Sequence, residues 1–128
     1  MTLALILLIS FWPGNAQPET WVCRNDIEIR CDSDGCKSEK EGAFTPMSVD
    51  FSDSGAMSVC AYTGCWEGTG KVFEIAGFLV LAGTDLSFST AKDNKSINEN
   101  ILIALDRNDK VALLKAGSFS QPLVCRQK

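Results

Sequence analysis

Histidine is missing from this 128-residue chain. General acid–base and nucleophilic sites near neutral pH most often use it, so a Ser-His-Asp or Cys-His arrangement is excluded. Missing too are a G-x-S-x-G elbow, a P-loop and a G-x-G-x-x-G turn after a strand. Gly68-Thr69-Gly70 is too short to cradle a phosphate. There is no cluster of Lys or Arg, and the formal charge is −4; together these argue against nucleic acid and against anionic lipid surfaces as partners. No stretch carries a 3.6-residue apolar period, so long amphipathic helices are not expected.

What is present begins with an apolar leader. Residues 3–12, LALILLISFW, carry no charge and fall well short of the roughly 20 residues that span a bilayer. Pro13-Gly14 then breaks the run. Gly14 and Ala16 are small residues at the −3 and −1 positions of a cut after Ala16. The layout is that of a secretory signal peptide, although its n-region has only the amino group of Met1. A membrane anchor or a buried strand is the alternative. The expected organisation is a signal peptide over residues 1–16 and one β domain over 17–128. The protein is expected to be exported, periplasmic or secreted, with no stable membrane insertion after cleavage.

Six cysteines follow, at 23, 31, 36, 60, 65 and 125. An even count in a small exported chain reads as a disulfide framework. Zinc is the rival, and it usually takes short knuckles completed by histidine. Cys31-Asp32-Ser33-Asp34-Gly35-Cys36 and Cys60-Ala61-Tyr62-Thr63-Gly64-Cys65 share the pattern C-x3-G-C. Each suits a hairpin whose glycine takes positive φ, with its cysteines facing each other at the base. Cys23 and Cys125 are left to tie the ends together. Register gives the two hairpins opposite senses. If Cys60 opposes Cys65, Val59 opposes Trp66 and the cysteines lie on the polar face with Ser58 and Glu67. Cys31 shares the parity of Ile27 and Ile29, so Cys31–Cys36 is expected to point inward.

The body reads as an antiparallel meander. Candidate strands are 20–24, 26–31, 36–41, 47–51, 56–62, 65–67, 71–76, 78–82, 100–106, 110–116 and 121–125, separated by turn signals that include Asp53-Ser54-Gly55, Gly77 and Gly83. The apolar runs 78–81 and 101–105 suggest strands buried on both faces or central in the sheet. Residues 90–99 form a polar loop holding the sequon Asn94-Lys95-Ser96. An all-β small barrel or sandwich is expected. Trp21 and Trp66 are assigned to the core. Tyr62 falls at a hairpin tip, where an exposed aromatic on a disulfide-rigidified loop can anchor a partner. Tyr62 and Glu67 are therefore the candidate ligand-binding residues.

Other chemistry is thin. Glu67, Glu74 and Asp85 could supply glycosidase carboxylates, but any acidic chain offers such triples. The stretches 32–35 and 106–109 faintly resemble calcium loops without their full spacing; turn capping explains them more simply. No catalytic residue, metal site or cofactor is expected. The expected partner is a basic envelope or extracellular protein, and the chain is expected to be a monomer.

The segments 44–51, 57–68 (MSVCAYTGCWEG), 78–90 and 104–111 resemble an uncharacterised family of small exported bacterial disulfide-bonded β proteins. That resemblance covers most of the chain after the leader and implies a periplasmic or secreted setting but no activity. A weaker similarity is to bacterial inhibitors of C-type lysozyme, which are small exported β barrels. Trp21-Val22-Cys23 and the late meander strands carry it. That family's first motif is Ser-Gly-x-x-Tyr, whereas here Ser54-Gly55-Ala56-Met57 is followed by Ser58. The similarity implies inhibition of a cell-wall hydrolase.

Overall fold

A computed structural model describes residues 14–40, 43–89 and 98–128. The leader through Pro13, Glu41 of the third candidate strand and the sequon at Asn94 lie outside the described residues. Among the described residues there are eleven strands: β1 Thr20–Arg24, β2 Glu28–Asp32, β3 Gly35–Glu39, β4 Ser48–Ser52, β5 Ala56–Ala61, β6 Gly64–Thr69, β7 Lys71–Ile75, β8 Phe78–Ser89, β9 Asn98–Asp106, β10 Val111–Ala116 and β11 Phe119–Gln127. Eight of them close an antiparallel barrel in the order β1-β4-β5-β6-β8-β9-β10-β11, with β11 pairing back onto β1. Closure removes the exposed edges that an open sheet must protect.

The strands form where apolar residues alternate. Leu79 and Leu81, Ile101, Ile103 and Leu105, and Ala112, Leu114 and Ala116 all point inward and are buried. Trp21, Phe51, Met57, Val59 and Trp66 fill the other half of the interior. An eight-stranded barrel is just wide enough for side chains to fill, and here the filling is apolar. The runs 78–81 and 101–105 are thus buried on one face only. Of the two expectations for these runs, the central position holds, since β8 and β9 lie side by side within the sheet; burial on both faces does not, because a barrel wall has solvent on its convex side, where Phe78 and Leu102 are exposed.

All three expected disulfides are formed: Cys23–Cys125, Cys31–Cys36 and Cys60–Cys65. Cys23 opposes Cys125 where β1 meets β11, so this bond staples the seam that closes the barrel. Cys60–Cys65 lies on the outer wall, in a row with Ser48 and Ser89. The inward orientation expected of Cys31–Cys36 is corrected. β2 and β3 form a ribbon outside the barrel, every residue of β3 is exposed, and Cys36 with them. The alternation of Ile27, Ile29 and Cys31 says only that they share a face; it does not say that the face meets the core. The ribbon is held to β11 by the Cys31 amide, which donates to the Ser118 carbonyl (2.8 Å), and by the Ile29 amide, which donates to the buried Gln121 Oε1 (2.7 Å). Arg30 also stacks on Phe119, 4.3 Å from the ring centroid.

Two glycine expectations change. Gly35 does take positive φ (130°), but Gly64 does not. Gly64 is required for a different reason: a Cβ there would come within 1.9 Å of the Ser89 carbonyl oxygen, where β6 crosses β8. Gly83 is not a turn. It lies inside β8, beside a bulge where three residues of β8 span two of β9. Asp85 takes φ 57° in that bulge, and its amide is held by Asn100 Oδ1 at 3.0 Å. The bulge bends β8, so that its first half pairs with β7 and its second half with β6. The polar loop is shorter than expected at its C-terminal end, since Asn98 and Glu99 belong to β9.

Candidate functional site

The β5–β6 hairpin runs to a two-residue turn at Tyr62-Thr63, because Ala61 still pairs with Gly64. Tyr62 is 73 % exposed. Its hydroxyl donates to the Phe44 carbonyl at 3.4 Å, so the ring lies toward the segment that precedes β4. Cys60–Cys65 locks the hairpin directly behind the tip. Trp66 faces the other way. It opposes Val59, packs with Phe88 at 4.6 Å between ring centroids, and belongs to the core.

The segment beneath Tyr62 is itself fixed by buried polar groups. Asn25 Oδ1 accepts from the Met47 amide (2.7 Å), and its Nδ2 donates to the Thr45 carbonyl (3.0 Å). Glu28 Oε2 accepts from the Thr45 amide (2.6 Å), while its Oε1 takes the Arg30 guanidinium. Asn25 and Glu28 were not singled out by the sequence reading. Asn25 between two strands looks like ordinary turn chemistry and Glu28 like a solvent-facing strand residue, and the burial of both depends on a segment some twenty residues away. Arg24, Asp26, Phe44 and Pro46 line a shallow depression of about 360 Å³ beside this clamp.

Burial opposes ionisation of Glu28, but the Arg30 hydrogen bond and the Thr45 amide outweigh it and hold the carboxyl below its ordinary value of 4.5. A depressed folded pKa means that Glu28's contribution is complete above the unfolded value. It is lost as pH falls through the folded one. Glu28→Gln is expected to cost about 2 kcal/mol near neutral pH, as a charge-assisted hydrogen bond does. The difference from the parent should shrink below about pH 4.5. Urea unfolding at pH 7 and pH 3 checks this; a difference that is the same at both pH values would contradict it.

Glu67 stands on the outer wall at the hairpin stem, with the disulfide between it and the tip. Across β4, β5 and β6 the outward row reads Asp50, Ser58, Glu67. The Ser58 hydroxyl donates to Glu67 Oε1 at 3.2 Å. A depression of about 320 Å³, lined by Thr20, Asp50, Ser52, Ser58 and Glu67 among others, opens over this row. Asp50 is the acidic residue here that sequence reasoning missed; its period-two parity in β4 would have placed it outside.

The other carboxylates named from the sequence have separate partners. Glu74 accepts from Arg107 Nη2 at 2.7 Å, and that guanidinium also meets Glu19. Asp85 accepts from Asn98 Nδ2 at 2.8 Å. Asp32 and Asp106 cap their own turns through the amides of Asp34 and Asn108. Among the described residues, no group of three or more Cys, Asp or Glu side chains is placed to hold a metal ion. What the hairpin region presents is an exposed aromatic tip, cross-linked behind by Cys60–Cys65, on a stem whose outer wall carries Asp50, Ser58 and Glu67. Comparison with family models, curated proteins and solved structures returned no match.

Proposed function

We propose that this chain is an exported, disulfide-stabilised binding or structural module that acts without catalysis and meets its partner through the face carrying Tyr62. The carrying observation is a large aromatic, 73 % exposed, on a hairpin locked by Cys60–Cys65 and seated on the segment that Asn25 and Glu28 clamp. A side chain presented this way lies at the surface yet has little ordering entropy left to lose on binding. Three disulfides fit an oxidising compartment, periplasmic or extracellular. The leader-like residues 1–16 support export into it. A basic envelope or extracellular protein is the partner class, because the net charge of −4 would steer its approach. Glu67 and Asp50 add negative charge along the hairpin stem.

The second reading is inhibition of a cell-wall hydrolase, with C-type lysozyme as the reference target. It is favoured by the small barrel, the acidic charge and the limited sequence similarity, and weakened by Ser58 where the inhibitor motif has tyrosine.

The test is a titration of the oxidised protein against C-type lysozyme at low and moderate salt, together with capture of envelope proteins on the immobilised chain. For any partner found, Tyr62→Ala is expected to weaken binding by at least about tenfold, the scale of a buried aromatic anchor. The inhibitor reading fails if micromolar protein leaves lysozyme fully active in both buffers. The hairpin-tip reading fails if Tyr62→Ala leaves every detected affinity unchanged.

A further inference from the structure

The barrel exterior has two characters. Over β4, β5 and β6 it carries Ser48, Asp50, Ser58 and Glu67. Over β7 to β10 it is apolar, and Phe73, Ile75, Phe78, Leu102, Val111 and Leu113 are between 41 and 64 % exposed. Register makes these neighbours. Phe73 opposes Val80, Val80 opposes Ala104 and Ala104 opposes Leu113, which gives one unbroken apolar row across four strands. Beside the small Ala104 lies a depression of about 310 Å³, lined by Phe78, Val111 and Leu113 and, at one end, by Asp106 and Asp109.

Charges frame the row asymmetrically. One position along the strands lies the row Lys71, Ala82, Leu102, Lys115. On the other side lies the row Ile75, Phe78, Asp106, Val111, with Asp109 and the exposed Lys110 in the turn just beyond.

We propose that this wall is the interface of a symmetric homodimer. The occupant is argued from charge and area. A two-fold axis running along the Phe73–Leu113 row lays apolar row on apolar row. It also brings Lys115 of each copy to Asp106 and Asp109 of the other. The face is thus complementary to itself, as an isologous contact must be. A fully exposed aromatic side chain presents about 150–250 Å², and the aliphatic ones lie at or below the low end of that range. At the observed exposures, the six side chains offer on the order of 600 Å² per copy. Two copies would bury about 1,200 Å², the lower end of the range for specific complexes. A patch of this size stands at the upper end of what monomers leave open, and the largest such patch is often functional. Lipid is the poorer occupant. A membrane barrel is apolar outside on every strand and polar within; here the interior is apolar and the β4–β6 wall is polar. The proposed dimer replaces the monomer expected from the sequence.

Sedimentation velocity of the oxidised protein from about 1 to 100 μM tests the proposal. The expected result is a dimer with micromolar dissociation. Leu113→Asp should weaken it by at least about 30-fold, a hot-spot effect, without unfolding the chain, because Leu113 is on the surface. Lys115→Glu should also weaken the dimer, and adding Asp109→Lys should restore it. A monomer at every concentration overturns the proposal, as does a dimer indifferent to Leu113→Asp. A monomer that binds phosphatidylcholine vesicles through Leu113 overturns it as well, by giving the face to lipid.

Discussion

Replacing Cys23 and Cys125 together with alanine is expected to lower the unfolding free energy by about 4–5 kcal/mol. Removing either hairpin bond the same way should cost about 2 kcal/mol. The difference follows from loop length. Cys23 and Cys125 are 102 residues apart, whereas each hairpin bond spans 5. Cross-linking distant residues removes more conformational freedom from the unfolded chain. The site adds to the effect: Cys23 and Cys125 are buried in the core, and their strands form the seam where the first strand of the barrel meets the last. Small domains have about 5–15 kcal/mol in total, so the end-to-end variant could forfeit most of its margin. Urea unfolding of the three double variants at one temperature is the measurement. If the end-to-end variant were no less stable than the hairpin variants, the barrel would be closing without help from its staple.

The second large effect is expected inside the barrel. Phe51 is 2 % exposed on β4, opposite Met57 on β5 and Trp21 on β1. Phe51→Ala should cost about 3–5 kcal/mol, from lost burial and from the cavity left in a filled interior. Tyr62→Ala should stay within about 0.5 kcal/mol of the parent, as surface substitutions do. Both remove an aromatic ring; what separates them is which side of the barrel wall the ring occupies. Thermal and urea unfolding of the two variants gives the comparison. Similar losses at the two positions would mean that Tyr62 is a packing residue after all, and would undercut the contact role proposed for it.

Much of this architecture was legible in the residues. Each of the eleven strands overlaps a candidate segment read from alternation, apolar runs and turn chemistry, with β1 matched at both ends, but the second half of β8, residues 84–89, lay outside every candidate. The Val59–Trp66 pairing and the outward Cys60–Cys65 bond followed from hairpin register alone. The misreadings share one cause. Parity tells which residues lie on the same side of a strand, but not what lies beyond that side. Cys31–Cys36 was therefore placed inward, although its ribbon sits outside the barrel. For the same reason the runs at 78–81 and 101–105 left two options open, strands buried on both faces or strands central in the sheet, and the second is the one found. Gly64 and Gly83 were read as local turn residues. Gly64 answers to the approach of β8, and Gly83 lies within β8 beside its bulge.

The candidate site divides in the same way. Tyr62 could be placed at a hairpin tip from the cysteine spacing. The segment it rests on, the Asn25–Glu28 clamp under that segment and the Asp50–Ser58–Glu67 row could not, because each joins residues that only strand pairing brings together.

By itself the sequence determined the all-β class, the strand positions, the disulfide partners of the two hairpins and, by elimination, the third bond. These depend on local alternation, on short-range geometry and on an even count of thiols. Only the tertiary structure decided that the sheet closes as a barrel and not a sandwich, that the β2–β3 ribbon lies outside it, and that one wall is apolar while another is acidic. Those features depend on which strands become neighbours across long stretches of chain, and the energy that selects the neighbours is a property of the closed core as a whole.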